Sequence, residues 1–468
     1  MADPAVATGD QTLIRGGVVV DETGERRADV LVAGGTVVAV AEAIDVPRGA
    51  RVLDAGGCIV APGLVDLHAH LREPGDEEAE CIESGARAAA LGGYTAVVAM
   101  PNTEPPVDSA ALAMEILALG EAAPCRISVA GCITMGRAGE RLVPMAELAA
   151  VGVRIFTDDG AGVQDPDLMR RAFEYAGDLP VTLGEHCEDS RLAAGGHMNE
   201  GVASSRLGIP GIPAGAEEVM VARDLILARM TGARLHLMHL SSAGSFELLA
   251  AAKAAGIAVT AEVTPHHLSL TDEALESYDP VFKVNPPLRS RQDVAAARAG
   301  CASGLVDALA TDHAPHRSET KDLPLDQASP GMIGLETAFA VALGALVRGE
   351  PDLRGEPDLG GDSRGGSGEA GSGREHLGVA SLLALMSWRP ARIAGLSQDR
   401  GGDQGGPIMA GRPANLCVLD TEHTWVVDPS AMASRSRNTP YAGWTLRGRA
   451  RHTILAGEPV VVDFEAQR

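Results

Sequence analysis

The chain has 468 residues, with 39 lysines and arginines against 63 aspartates and glutamates, for a formal net charge of −24 at pH 7. That length exceeds one ordinary domain and suits a barrel of about 250 residues with a companion, while 45% hydrophobic and 22% charged residues exclude disorder throughout. The acid excess and the 3% aromatic content exclude a nucleic-acid binder, which needs clustered cations or stacking platforms.

Residues 12 to about 60 read as short strands broken by glycine turns, at 13–20, 29–32, 36–41 and 51–54. The tail from Ala414 repeats that style at 415–420, 444–447 and 452–462. The two ends, 1–60 and 401–468, are therefore expected to meet in one small β-sandwich domain. Between them, 61–400 holds eight apolar, β-branched runs at 64–68, 95–100, 126–130, 153–156, 181–183, 234–238, 258–263 and 306–310. Most gaps carry alanine- and leucine-rich helical patterns, as at 83–91, 167–176, 216–230 and 246–255. Eight strands separated mostly by helices predict an α/β fold of the (β/α)8 TIM-barrel type, with an open doubly wound sheet as the alternative. The glycine-, serine- and charge-rich stretch 354–374 cannot bury a core and reads as a flexible surface insertion.

Only Lys253, Lys283 and Lys321 are lysines. The seven cysteines include no C-x-x-C pair and are expected to be buried thiols. Met1 to Gln11 lack a basic segment followed by an apolar one, and no apolar run reaches the roughly 18 residues of a membrane span. A soluble, cytoplasmic protein with no membrane partner is expected.

Polar residues collect at the C-terminal ends of the predicted barrel strands. The first ends in Asp66-Leu67-His68-Ala69-His70, the fourth in Thr157-Asp158-Asp159-Gly160 and the fifth in Glu185-His186-Cys187. The sixth ends in His239-Leu240-Ser241 and the eighth in Thr311-Asp312-His313-Ala314-Pro315-His316. In a barrel that rim carries the active site, and imidazoles and carboxylates are ligands of zinc and similar divalent ions. Strand residues two apart share a face, so His68 and His70 can reach one ion. His236, three residues before His239, is expected to face the opposite way, in the core or toward the helices. His197, His376, His423 and His452 lie outside the strand ends and read as surface residues. His266 and His267, after strand seven, stay open between core and catalytic roles.

The run from Pro62 to Gly75, Pro-Gly-Leu-Val-Asp-Leu-His-Ala-His-Leu-Arg-Glu-Pro-Gly, resembles the signature of the long bacterial dihydroorotases of the amidohydrolase superfamily. Met100-Pro101-Asn102-Thr103, Phe156 to Gly160, Asn285-Pro286-Pro287-Leu288-Arg289 and Thr311 to His316 are similar to further motifs of that family in the same order. Ala69, Ala79, Cys81 and Asn415 depart from the usual pattern, but none is a ligand position.

The resemblance implies one or two zinc ions, the first held by His68, His70 and Asp312 and the second by His186 and His239, with Asp159 as the bridging carboxylate. It implies that Arg72, Asn102 and His316 grip the substrate's free carboxylate, and that Asn285 and the backbone around Pro330 and Gly331 line its ring. Arg72 suits that role physically, since a guanidinium forks onto a carboxylate. A surface ion pair with Glu73 or Glu77 is its alternative. The implied reaction is the reversible cyclisation of N-carbamoyl-L-aspartate to (S)-dihydroorotate and water, in pyrimidine biosynthesis. A metal-activated hydroxide would be the nucleophile and Asp312 the general acid and base.

Allantoinases, dihydropyrimidinases and hydantoinases are the nearest alternatives, and they typically bridge their metals with a carboxylated lysine after strand four. No lysine precedes position 253, so that device is unavailable here. A non-catalytic scaffold for aspartate carbamoyltransferase is a further alternative, and it would have lost ligands that this chain retains. A homo-oligomer, with or without aspartate carbamoyltransferase, is the expected assembly.

Overall fold

A computed structural model describes residues 11–350, 377–397 and 402–468, so the predicted insertion at 354–374 lies outside the described residues. Eight parallel strands form the barrel: Leu64–Ala69, Tyr94–Ala99, Arg126–Val129, Ile155–Phe156, Thr182–Glu185, Leu235–Leu237, Val259–Val263 and Ala308–Leu309. The first three pair in order, as do the last five. Isolated parallel bridges between Gly131 and Phe156, and between Ala69 and His313, join the two arcs into a closed ring. Asp66 reinforces that closure, because its buried carboxylate accepts from Thr311 N at 2.9 Å and Thr311 Oγ1 at 2.5 Å across the seam. Burial pushes its pKa up to about 7 against those hydrogen bonds.

The barrel strands are buried on both faces, as parallel strands under a coat of helices must be. Helix Pro166–Ala176 begins where Asp165 caps the amides of Asp167 and Leu168 and proline occupies the first turn. Helix Gly215–Thr231 stops where Gly232 turns left-handed.

Two further sheets lie outside the barrel, one built from N-terminal strands alone and one from both chain ends. Thr36–Ala41, Asp29–Ala33, Gln11–Arg15 and Arg51–Asp54 form one, in that spatial order. The other has seven strands and pairs Ile59–Pro62 with Leu416–Val426. Ile14, Val30, Leu53, Val60, Leu416 and Ile454 pack between the sheets in one apolar cluster.

Two of the predicted runs are each two strands. The 13–20 run breaks at Gly16, whose φ of +82° sends Gln11–Arg15 and Val18–Asp21 into different sheets. The 452–462 run folds back at Ala456 and Gly457, with φ of +48° and +83°, into a hairpin of Thr445–Leu455 and Glu458–Val462. All seven cysteines are buried and unpaired. Among the described residues, no helix is long and apolar enough to cross a membrane.

Candidate active site

Six buried side chains from five strand ends converge in the barrel mouth. His68 Nε2 and His70 Nε2 lie 3.4 and 3.5 Å from the Asp159 carboxylate. Asp312 Oδ1 lies 3.1 Å from His70 Nε2 and 3.5 Å from His68 Nε2. Across Asp159, His186 Nδ1 and His239 Nε2 stand 3.6 and 3.5 Å from Oδ1 and 3.0 Å from each other. Two groups, His68–His70–Asp159 and Asp159–His186–His239, each hold their ligand-type atoms within 4.8 Å, and they share Asp159. The Nε2 atoms of His68 and His186 are buried without any hydrogen-bond partner. Such orphaned nitrogens are costly unless a cation lies among them. The donor set therefore fits a divalent metal site, and its two groups sharing one carboxylate fit a pair of ions.

Backbone geometry aims these groups. Arg72, His239 and Asp312 adopt left-handed conformations, with φ of +59°, +34° and +46°, where strand gives way to loop. Three non-glycine residues in that region on one rim mark a site where geometry overrides local preference.

Of the two places expected for His236, the structure gives the core: the residue is buried, and the turn after Leu237 ends the strand before His239. His236 bonds Thr260 Oγ1 at 2.8 Å and Glu262 Oε2 at 3.0 Å, beneath the ligand cluster. The other oxygen of Glu262 takes His68 Nδ1 at 3.1 Å. Burial opposes charge on Glu262, but its bonds to His236 and His68 prevail and hold its pKa at about 2. A carboxylate on Nδ1 fixes the tautomer that leaves Nε2 free for a ligand. Asn102 does the same for His70, its Oδ1 lying 2.9 Å from Nδ1.

Asp158 and Asp159 part company at the fourth strand. Asp158 accepts from the amides of Ile133 and Thr134 at 2.8 and 3.0 Å and from the Thr134 hydroxyl, and so pins the neighbouring loop. Asp159 alone reaches the histidines, while Arg137 holds its backbone oxygen at 2.5 Å. Burial would raise the Asp159 pKa, yet His68, His186 and His239 hold it well below the usual carboxylate range.

A second corner lies beside this cluster. Arg72 Nε donates to Pro315 O at 3.1 Å, and its Nη2 lies 3.5 Å from His316 Nε2, with no ion pair to Glu73 or Glu77 among its contacts. His316 is held neutral, its pKa pushed down to about 3 by burial and by Arg72, and it bonds Pro330 O at 2.7 Å. Gly331 N donates to Lys283 O at 2.9 Å. A β-carbon on Gly331 would stand 2.7 Å from His316 Nε2, and its φ of +140° also favours glycine. Asn285 Nδ2 donates to Glu188 at 3.2 Å, leaving its buried Oδ1 unpartnered.

His267 is fully used by Thr264 Oγ1 and Pro286 O, whereas His266 keeps a buried, unpartnered Nε2. His452, expected at the surface, is buried in the terminal sheets, where it bonds Asp54 O and the amide of Asp463. His376 lies outside the described residues. Sequence reasoning missed Glu262, whose signal was the one charged residue in an otherwise uncharged strand pattern. It also missed Asn438, for which no local signal exists.

The fold is shared with solved hydantoinases and dihydropyrimidinases. L-hydantoinase (dihydropyrimidinase) from Arthrobacter aurescens superimposes with a TM-score of 0.81 at 24% identity, covering 98% of this chain and 97% of that one. Sequence comparison places the chain more finely. Dihydroorotase from Streptomyces coelicolor is 45% identical over 456 residues, 97% of this chain and 99% of the relative. Dihydroorotase from Mycobacterium leprae is 45% identical over 435 residues, 92% and 94% of the two chains. The dihydro-orotase-like family profile matches residues 57–245. The chain belongs to the dihydroorotase family.

Proposed function

We infer that the protein is a metal-dependent enzyme that opens the cyclic amide of (S)-dihydroorotate with water, and closes N-carbamoyl-L-aspartate in reverse for pyrimidine synthesis. The observation that carries this reading is the pairing of two donor groups around Asp159 with an arginine and a neutral histidine on the same rim. One part activates water and the other receives a carboxylate.

We assign His68, His70 and Asp312 to one ion, His186 and His239 to a second, and Asp159 to both, with zinc as the metal. A divalent ion held there would supply a water of lowered pKa, about 7, and a Lewis acid for the amide carbonyl. The chain's own residues do the rest. Glu262 and Asn102 set the tautomers of His68 and His70. Asp312 Oδ1, facing both histidines, accepts the proton of the attacking water and delivers it to the leaving amide nitrogen. Arg72 supplies a guanidinium fork to the substrate's free carboxylate, and we assign His316 and Asn102 to the same corner around it. Asn285, with its unpartnered Oδ1, and the Pro330–Gly331 backbone line the ring.

Zinc, at one or two ions per subunit, is checked by elemental analysis of the purified protein and by reconstitution with zinc, manganese or cobalt. The substrate is checked by assaying the loaded enzyme with dihydroorotate, allantoin and dihydrouracil; preference for either of the last two removes this reading. Seven unpaired thiols support a reducing, cytoplasmic setting. Val219, Ile226 and Met230, exposed in line on helix Gly215–Thr231, support a homo-oligomer. Sizing in solution, alone and with aspartate carbamoyltransferase, tests that assembly.

A further inference from the structure

The segment 434–438 belongs to neither the barrel nor a strand of the terminal sheets. It lies in the connection between strands Leu416–Val426 and Thr445–Leu455 and runs along the loops that follow the first and eighth barrel strands. Ser434 Oγ and the amide of Arg435 donate to Glu80, and Ser436 Oγ donates to Ala79 O at 2.7 Å. Asn438 then reaches the loop after the eighth strand. Its Nδ2 donates to Ala314 O at 2.9 Å and to Gly331 O at 3.1 Å, and its Oδ1 accepts from His316 N at 3.2 Å. The side chain is only 6% exposed. Two carbonyls and one amide demand two donors and one acceptor on a single short side chain, which an asparagine amide supplies.

We propose that Asn438 is the positioning residue of the carboxylate corner: it locks the backbone of His316 to that of Ala314 and Gly331, and thereby holds His316 beside Arg72. The inference rests on the reading of that corner as the site of the substrate's carboxylate. Asn438 touches none of the six clustered donors, so its loss weakens substrate binding and leaves metal content and the chemical step in place.

The test is steady-state kinetics of the full-length, zinc-loaded enzyme with dihydroorotate, alongside metal content and melting temperature. Asn438→Asp keeps the acceptor for His316 N but sets a carboxylate against two carbonyls; Asn438→Ala removes all three bonds and carries the test if the aspartate variant does not fold. The expected result is a KM raised about tenfold or more, from the loss of two or three buried hydrogen bonds, with kcat within about threefold and metal content unchanged. Ser436→Ala, which loses only the bond to Ala79, is expected to keep the wild-type KM. A KM within twofold of wild type in a folded Asn438 variant overturns the proposal, as does an equal rise in Ser436→Ala. A wild-type enzyme inactive on dihydroorotate instead overturns the functional reading beneath it.

Discussion

The donor cluster and the carboxylate corner share one rim but are built differently. His68, His70, His186, His239 and Asp312 sit on or within two residues of a barrel strand or its closing bridge, and Asp159 three residues beyond its strand, so the closed ring of strands sets their spacing. Arg72 and His316 hang on loops, and their spacing depends on contacts to Pro315, Pro330 and Asn438. A site built on strands is rigid by construction, whereas one built on loops must be tied. Substitutions at the cluster should therefore act on metal and turnover, and those at the corner on substrate binding.

Asp312→Asn tests the cluster most severely. The amide keeps the shape but cannot carry the proton, so kcat should fall by roughly three orders of magnitude or more. The metal stays, because His68, His70 and Asp159 remain. Near-normal turnover in zinc-loaded protein would remove Asp312 as the acid and base.

Glu262→Gln probes the layer beneath. A glutamine offers one acceptor oxygen where Glu262 gives one each to His68 and His236, so the pair is no longer held and metal affinity should drop by about 10–100-fold, as when the outer partner of a ligating histidine is lost. Competition with a chelator measures it. Unchanged affinity would reduce Glu262 to a packing residue.

Arg72→Lys carries the comparison to the corner. A lysine keeps the charge but loses the fork, and KM for dihydroorotate should rise about tenfold with metal content constant. A fall in bound metal instead would mean that corner and cluster are one unit.

The same contrast explains what could be read from the sequence. His68 and His70 were visible because a strand repeats every two residues, and Asp159 through the family resemblance, in which the ligand directly precedes the glycine. The eight strands and the fusion of the two termini into paired sheets were visible from apolar runs and glycine breaks. Glu262 was hidden because its meaning depends on a histidine 194 residues away. Asn438 was hidden more deeply, since its partners lie 107 to 124 residues back and nothing local distinguishes it from any loop asparagine. His236 was legible as a core residue, but its link to Glu262 was not, since that partner lies 26 residues away on the next strand.

Lys321 gives the smallest and most specific test of how the loops are tied. It lies at the end of Ser318–Lys321, is 5% exposed, and donates to Lys283 O and Ser329 O at 3.1 and 2.9 Å. Burial and the nearby Lys283, only partly offset by Asp279, push its pKa down to about 7. The unfolded chain keeps that proton up to the ordinary lysine range of about 10.4. Between these limits the unfolded state binds one proton more than the folded state, so this residue makes stability rise with pH and contributes no slope below about 7. Lys321→Met removes the slope while filling similar space. From pH 7 to 9.5, the melting temperature of the wild type should climb by about 2–4 °C relative to the variant. Parallel curves would mean that the ammonium keeps its proton in the folded loop, and that the carbonyls of Lys283 and Ser329 compensate its burial in full.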